Sequence, residues 1–144
     1  MKYFAKMNVF ALLACIPLVV FAQLEVNVYR ISRVTGLDLD IIVKAPWIAF
    51  LIAAVLGLIL FPFYIRKHLG RHSVDGWLLI LWIPYFFLFA GTIGRLLPVM
   101  HAGEDPGPGT GMLLLMVMFF YPIYVLMTLM FAQFKWDFGV EADQ

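Results

Sequence analysis

Apolar residues in this chain come in four long runs separated by short polar or glycine-rich stretches. The runs cover about residues 4–24, 47–65, 76–98 and 112–134. Each is close to the roughly 20 residues that an α-helix needs to cross a hydrocarbon core of about 30 Å. The pattern predicts an all-α, polytopic transmembrane helical bundle, with residues 1–144 forming a single membrane domain.

Between the first two runs, residues 23–45 behave differently. Leu24, Val26 and Val28 alternate with Glu25, Asn27 and Tyr29. Beyond Thr35-Gly36, Leu37, Leu39 and Ile41 alternate with Asp38 and Asp40. Period-two alternation on both sides of a glycine turn is a hairpin signal, so a small β-hairpin is expected here, against an irregular loop with a short interfacial helix before Pro46. An isolated hairpin is marginal in water and would have to lean on the membrane surface or on a partner.

The N-terminal run has three readings. Lys2 and Lys6, a core of about 15 apolar residues and Val20-Phe21-Ala22 resemble a cleavable signal, which would leave three spans. Leu12-Leu13-Ala14-Cys15 resembles a lipobox, although Ile16 to Ala22 stay apolar where a lipoprotein turns polar. The simplest reading, and the one adopted, is a first transmembrane helix.

Composition agrees with the pattern. The chain is 64% hydrophobic and only 13% charged, where soluble domains carry about 25% charged residues. A net charge of +1 leaves no basic face for nucleic acid, and the single cysteine excludes an intrachain disulfide. Lys2, Lys6, Arg66, Lys67, Arg71 and Lys135 fall on one side of the four spans, and Arg30, Arg33, Lys44 and Arg95 on the other. The short 66–75 loop is the densest positive cluster, which places it and the C-terminus in the cytoplasm. A bacterial inner membrane or another plasma membrane is the expected location. Trp47, Trp77 and Trp136 sit at span ends, as in an aromatic belt, whereas Trp82 lies deeper.

Within the spans, Ala49, Ala53 and Gly57 form a small-residue ridge of the kind that lets helix backbones approach in lipid. Ala90 and Gly94 offer a matching one, as do Ala11 and Cys15. Every run contains a proline, and Pro84 and Pro122 at mid-span would free the carbonyls of Ile80 and Met118. Tyr85, Tyr121 and Tyr124, with Trp82 and Thr128, come to similar depth. They would serve the kinked backbones and the helix seams, or else line a polar ligand pocket. Apart from Lys6 at the basic start of the first run, Arg95 is the one charge inside the apolar runs. It lies near enough to the span end to snorkel, and as a functional charge it would pair with Glu104 or Asp105 of the Pro/Gly-rich 101–111 loop.

Metal chemistry has little support. His68, His72 and Asp75 have helical ligand spacing only if Gly70 is tolerated. Met100, His101, Met112 and Met116 suggest soft ligands for copper but read more simply as adaptable packing. No nucleotide loop or catalytic triad is present, and no acidic residue falls within a span as drawn from the sequence. No cofactor and no enzymatic activity are expected. The expected function is non-enzymatic contact with another membrane protein or with itself, as an assembly factor, accessory subunit or toxin-immunity partner. The alternative is an oligomeric channel or transporter with a pathway near Arg95, Tyr85 and Tyr124.

Overall fold

The computed structural model describes residues 2–69, 76–97 and 101–140; the side chains of Lys2, Ala102 and 134–140 are not included in the description. His72, Asp75 and Met100 of the metal readings therefore lie outside the described residues, as does Pro98.

Among the described residues six α-helices follow one another: α1 (Lys2–Val26), α2 (Val28–Thr35), α3 (Leu39–Ile42), α4 (Ala45–His68), α5 (Trp82–Leu96) and α6 (Gly107–Val140). Short 3-10 turns at Gly76–Leu79 and Ala102–Glu104 precede α5 and α6. Four segments of the described residues are long and apolar enough to cross a bilayer: Tyr3–Val26, Leu39–His68, Gly76–Leu96 and Gly107–Gln133. The chain is an all-α bundle of four such helices, in keeping with an integral membrane protein.

Helix α1 is the hub. Phe10, Ala11, Ala14, Cys15, Leu18 and Phe21 are fully buried, and beyond the exposed first turn at Tyr3 and Phe4 a narrow stripe through Val9, Leu12, Ile16 and Val20 reaches the outside. Its most extensive interface is with α4, the next with α5, and it also touches α6. Aromatic contacts fix the α1–α4 pair as antiparallel. Phe10 meets Phe61 edge-on at 5.7 Å near one end, and Phe21 meets Trp47 at 5.0 Å near the other. In contrast, α4 and α6 turn broad apolar faces outward. Leu51, Ile52, Leu60 and Phe63 on α4, and Leu115, Met116, Phe119 and Ile123 on α6, are each more than half exposed. In water such faces would drive aggregation; in a bilayer they are the lipid surface.

No strand forms among the described residues, and the hairpin expected over 23–45 is replaced by helix. The Asn27 N–H still donates to Gln23 O at 3.2 Å, and Ile31 N–H to Asn27 O at 2.8 Å, so α2 continues α1 through a bend. Gly36, at φ +69°, is the left-handed residue that ends α2, its N–H returning to Ser32 O. A glycine after Thr35 suits a helix C-terminus as well as a hairpin turn. Helix satisfies its backbone within the segment, whereas a lone hairpin at the membrane edge leaves two strand edges unpaired. Asp38 then opens the single turn of α3, its carboxylate accepting from Asp40 N–H at 3.3 Å.

Two spans differ in their limits from the sequence pattern. The third is not one helix kinked at Pro84. A 3-10 turn over Gly76–Leu79 comes first and α5 begins only at Trp82, so Pro84 falls in the first helical turn, where its missing N–H costs little. The Ile80 carbonyl is satisfied by Ile83 N–H at 3.0 Å. The fourth helix begins at Gly107, within the expected loop. Gly107 has φ +63°, and its N–H donates to Asp105 Oδ1 at 3.4 Å.

Candidate functional site

Polar side chains inside the bundle are spent on neighbouring backbones. Tyr121, on α6, is buried and donates its hydroxyl to Ala14 O of α1. That carbonyl is one residue beyond Leu13, whose own helical partner is removed by Pro17. Tyr124, one turn on, donates to Ala54 O of α4 at 3.0 Å. Thr128 bonds back to Val125 O at 2.7 Å within α6. Trp82 donates its indole N–H to Leu79 O at 2.8 Å and sets its edge against Tyr121 at 4.8 Å. Tyr85 turns instead toward α1 and donates to Asn8 Oδ1. The three tyrosine hydroxyls thereby close helix–helix seams, each worth in hydrocarbon about 0.6 kcal/mol on average and up to about 1.7.

The small-residue positions divide into two groups. Gly57 is buried, and a Cβ there would lie 2.1 Å from the Tyr124 hydroxyl oxygen and 2.9 Å from Phe61 Cε2. Only glycine admits the α6 tyrosine to the α4 backbone. Ala49 and Ala53 on the same ridge are partly exposed. Ala90 is partly buried against the core and its carbonyl accepts from Gln23 of α1, whereas Gly94 is exposed and a Cβ there would reach no atom within 4 Å; both line an open cleft.

That cleft, of about 380 Å³, opens between α5 and α6 with α1 as its floor. It exists because α5 packs along α1 and not along α6. Phe86, Phe87, Met118, Leu97 and Gly111 are among its apolar lining, Phe86 buried and Phe87 largely exposed. Its polar groups are the carboxamides of Gln23 and Asn27 on the floor. Gln23 Nε2 donates to Ala90 O at 3.4 Å, and Asn27 Nδ2 to Gln23 O at 2.8 Å. A second cavity, about 340 Å³ and almost wholly apolar, lies between α4 and α6 beside Phe50, Phe120 and Tyr124.

At the same end of the bundle, Glu104 is buried and pairs with Arg33 of α2. This contact ties the connection before α6 to the segment after α1. Arg95 is exposed near the C-terminus of α5, and Asp105 precedes α6 and accepts from Gly107 N–H, whereas Glu104 pairs with Arg33 on α2. Sequence spacing gave no sign of this pair, which joins positions 71 apart. At the opposite end Arg66 donates to Phe131 O at 2.7 Å and Ala132 O at 2.9 Å, clasping α4 to α6.

Extension of α1 to Val26 brings Glu25 into the last turn of the first span, which corrects the view that the spans hold no acidic residue. Its Oε2, like His68 Nδ1, is buried with no hydrogen-bond partner among the described residues. Among those residues no three His, Cys, Asp or Glu side chains converge as metal ligands. The Cys15 thiol is buried and donates to Leu12 O at 3.1 Å.

No protein-family model, curated protein or solved structure matches the chain. The functional reading therefore rests on the residues and their placement.

Proposed function

We propose that this protein is a small integral membrane protein that works by contact with another membrane protein, with no chemistry of its own. The observation that carries this reading is the separation of Tyr85, Tyr124 and Arg95. A pathway for a polar solute needs them on one lumen, but Tyr85 is committed to Asn8 on α1, Tyr124 to Ala54 on α4, and Arg95 is exposed. The contact surface on this reading is the α2–α3 segment. Val34, Leu37, Leu39, Ile41 and Val43 are all exposed there beside Asp38 and Asp40. Exposed aliphatic residues at a polar chain turn are an interface signature. The positive-inside rule places the Arg66–Lys67 end in the cytoplasm and α2–α3 on the opposite side.

The test is co-purification in gentle detergent with mass spectrometry, comparing the wild-type chain with a Leu37→Ser, Ile41→Ser variant. A defined partner, or a second copy, retained by the first and lost from the second supports the reading. Solute or ion flux through vesicles containing the purified chain, abolished by Tyr85→Phe or Arg95→Ala, would replace it with the channel or transporter alternative.

A further inference from the structure

We propose that the cleft between α5 and α6 is a binding site for a hydroxyl-headed, single-chain amphiphile of the monoacylglycerol type. Its lining has the make-up of a ligand pocket, mostly apolar and aromatic with few polar groups, and about 380 Å³ is within the range of such sites. Polarity is ordered along the cleft. Phe86, Phe87 and Met118 line the part toward the middle of α5 and α6, whereas Gln23, Asn27 and Gly111 lie toward the ends that carry Leu97 and Gly107. An amphiphile entering from the bilayer has the same order, tail toward the membrane centre and head toward its edge.

The two carboxamides select the head. Each uses one N–H on a backbone carbonyl, Gln23 on Ala90 and Asn27 on Gln23 itself. Those bonds fix which end of each amide is nitrogen. What remains at each side chain is an oxygen with acceptor capacity and a second N–H. A hydroxyl both donates and accepts, so it satisfies both remaining functions. A carboxylate or a quinone only accepts and leaves the amide oxygens without a donor, a costly state in a low-dielectric site. Ala90 and Gly94 provide the space, since any larger side chain at Gly94 would extend into the cleft.

The experiment uses the full chain in phosphatidylcholine nanodiscs and a monoacylglycerol carrying a photoactivatable group in its tail. The expected result is labelling concentrated on peptides containing Phe86, Phe87 and Met118. Unlabelled monoacylglycerol should compete about tenfold better than the free fatty acid of equal chain length, the difference expected from one or two hydrogen bonds. Gly94→Leu, whose Cβ would meet no atom within 4 Å and whose side chain would extend into the cleft, should remove the labelling, and Gln23→Leu should reduce it about tenfold. Labelling spread evenly over Leu51, Phe63 and Phe119, or unchanged by Gly94→Leu, would mean annular lipid only and overturn the proposal. So would equal competition by the fatty acid, or a partner helix found crosslinked into the cleft.

Discussion

Gly57→Ala tests the closest approach in the bundle. The new methyl would sit 2.1 Å from the Tyr124 hydroxyl oxygen, far inside van der Waals contact, and 2.9 Å from Phe61 Cε2. Tyr124 is held by its bond to Ala54 O and by Tyr121, whose ring centroid is 5.3 Å away, so it cannot swing aside freely. Overpacking of this kind costs about 1–3 kcal/mol, and displacing the hydroxyl adds about 0.6 kcal/mol for the interhelical hydrogen bond. Alanine regains up to about 1 kcal/mol of helix propensity over glycine. The net expectation is a loss of about 1–3 kcal/mol in an equilibrium unfolding titration in mixed micelles. Tyr124→Phe alone should cost only about 0.6 kcal/mol. In the double variant the hydroxyl that meets the methyl is gone, so Gly57→Ala should be milder by about 1 kcal/mol or more in that background. Strict additivity of the two substitutions would refute the proposed contact.

Three further outcomes follow from the same geometry. Arg66→Ala removes two charge-assisted bonds to the α6 backbone, and Arg66→Lys restores charge without the guanidinium fork; both should loosen the α4–α6 end by about 1–2 kcal/mol, read as faster amide exchange across 129–133. Arg33→Ala leaves the Glu104 carboxylate buried without this cation, and because Arg33 is half exposed the expected loss is about 1–3 kcal/mol, with earlier proteolysis between α5 and α6. Cys15, fully buried on the central helix, should resist a membrane-permeant maleimide in the folded protein and react on unfolding in SDS. Prompt labelling of the native protein would contradict the placement of α1.

What could be read from the chain follows from which forces act locally. Span number and class were legible because burial of apolar surface in lipid is written residue by residue. The ends of the elements were not. Alternation in residues 24–41 satisfies a strand template, yet backbone hydrogen bonding favours continuing α1 through Asn27 into α2. Gly36 carries the same signal in either structure. Pro84 looked like a kink because its run is continuously apolar, and only the 3-10 turn before Trp82 puts it in a first turn. Among the candidate residues, Gly57 was recognisable as a close-packing position from its ridge. That Ala90 and Gly94 border a cleft depends on where α6 lies, which no local pattern encodes. The Arg33–Glu104 pair and the carboxamides of Gln23 and Asn27 were missed for a similar reason. Their segment was expected to leave the bundle as a hairpin, whereas as helix it stays against α5 and the approach to α6.

The arrangement around α1 links these features. With α4 and α6 seamed together through Gly57, Tyr124 and Arg66, three helices form a closed unit around the buried face of α1. The fourth, α5, is held chiefly by α1, through the Tyr85–Asn8 and Gln23–Ala90 bonds and the packing between them. Loss of α1 would therefore strand α5 and open the seams at Tyr121 and Phe61, which meet Ala14 and Phe10 of that helix. Because α5 leans on a single neighbour, its other side is free to form one wall of the cleft. The opening beside Gly94 is a consequence of that one-sided attachment. A ligand or partner acting there would bear on the most loosely held of the four spans.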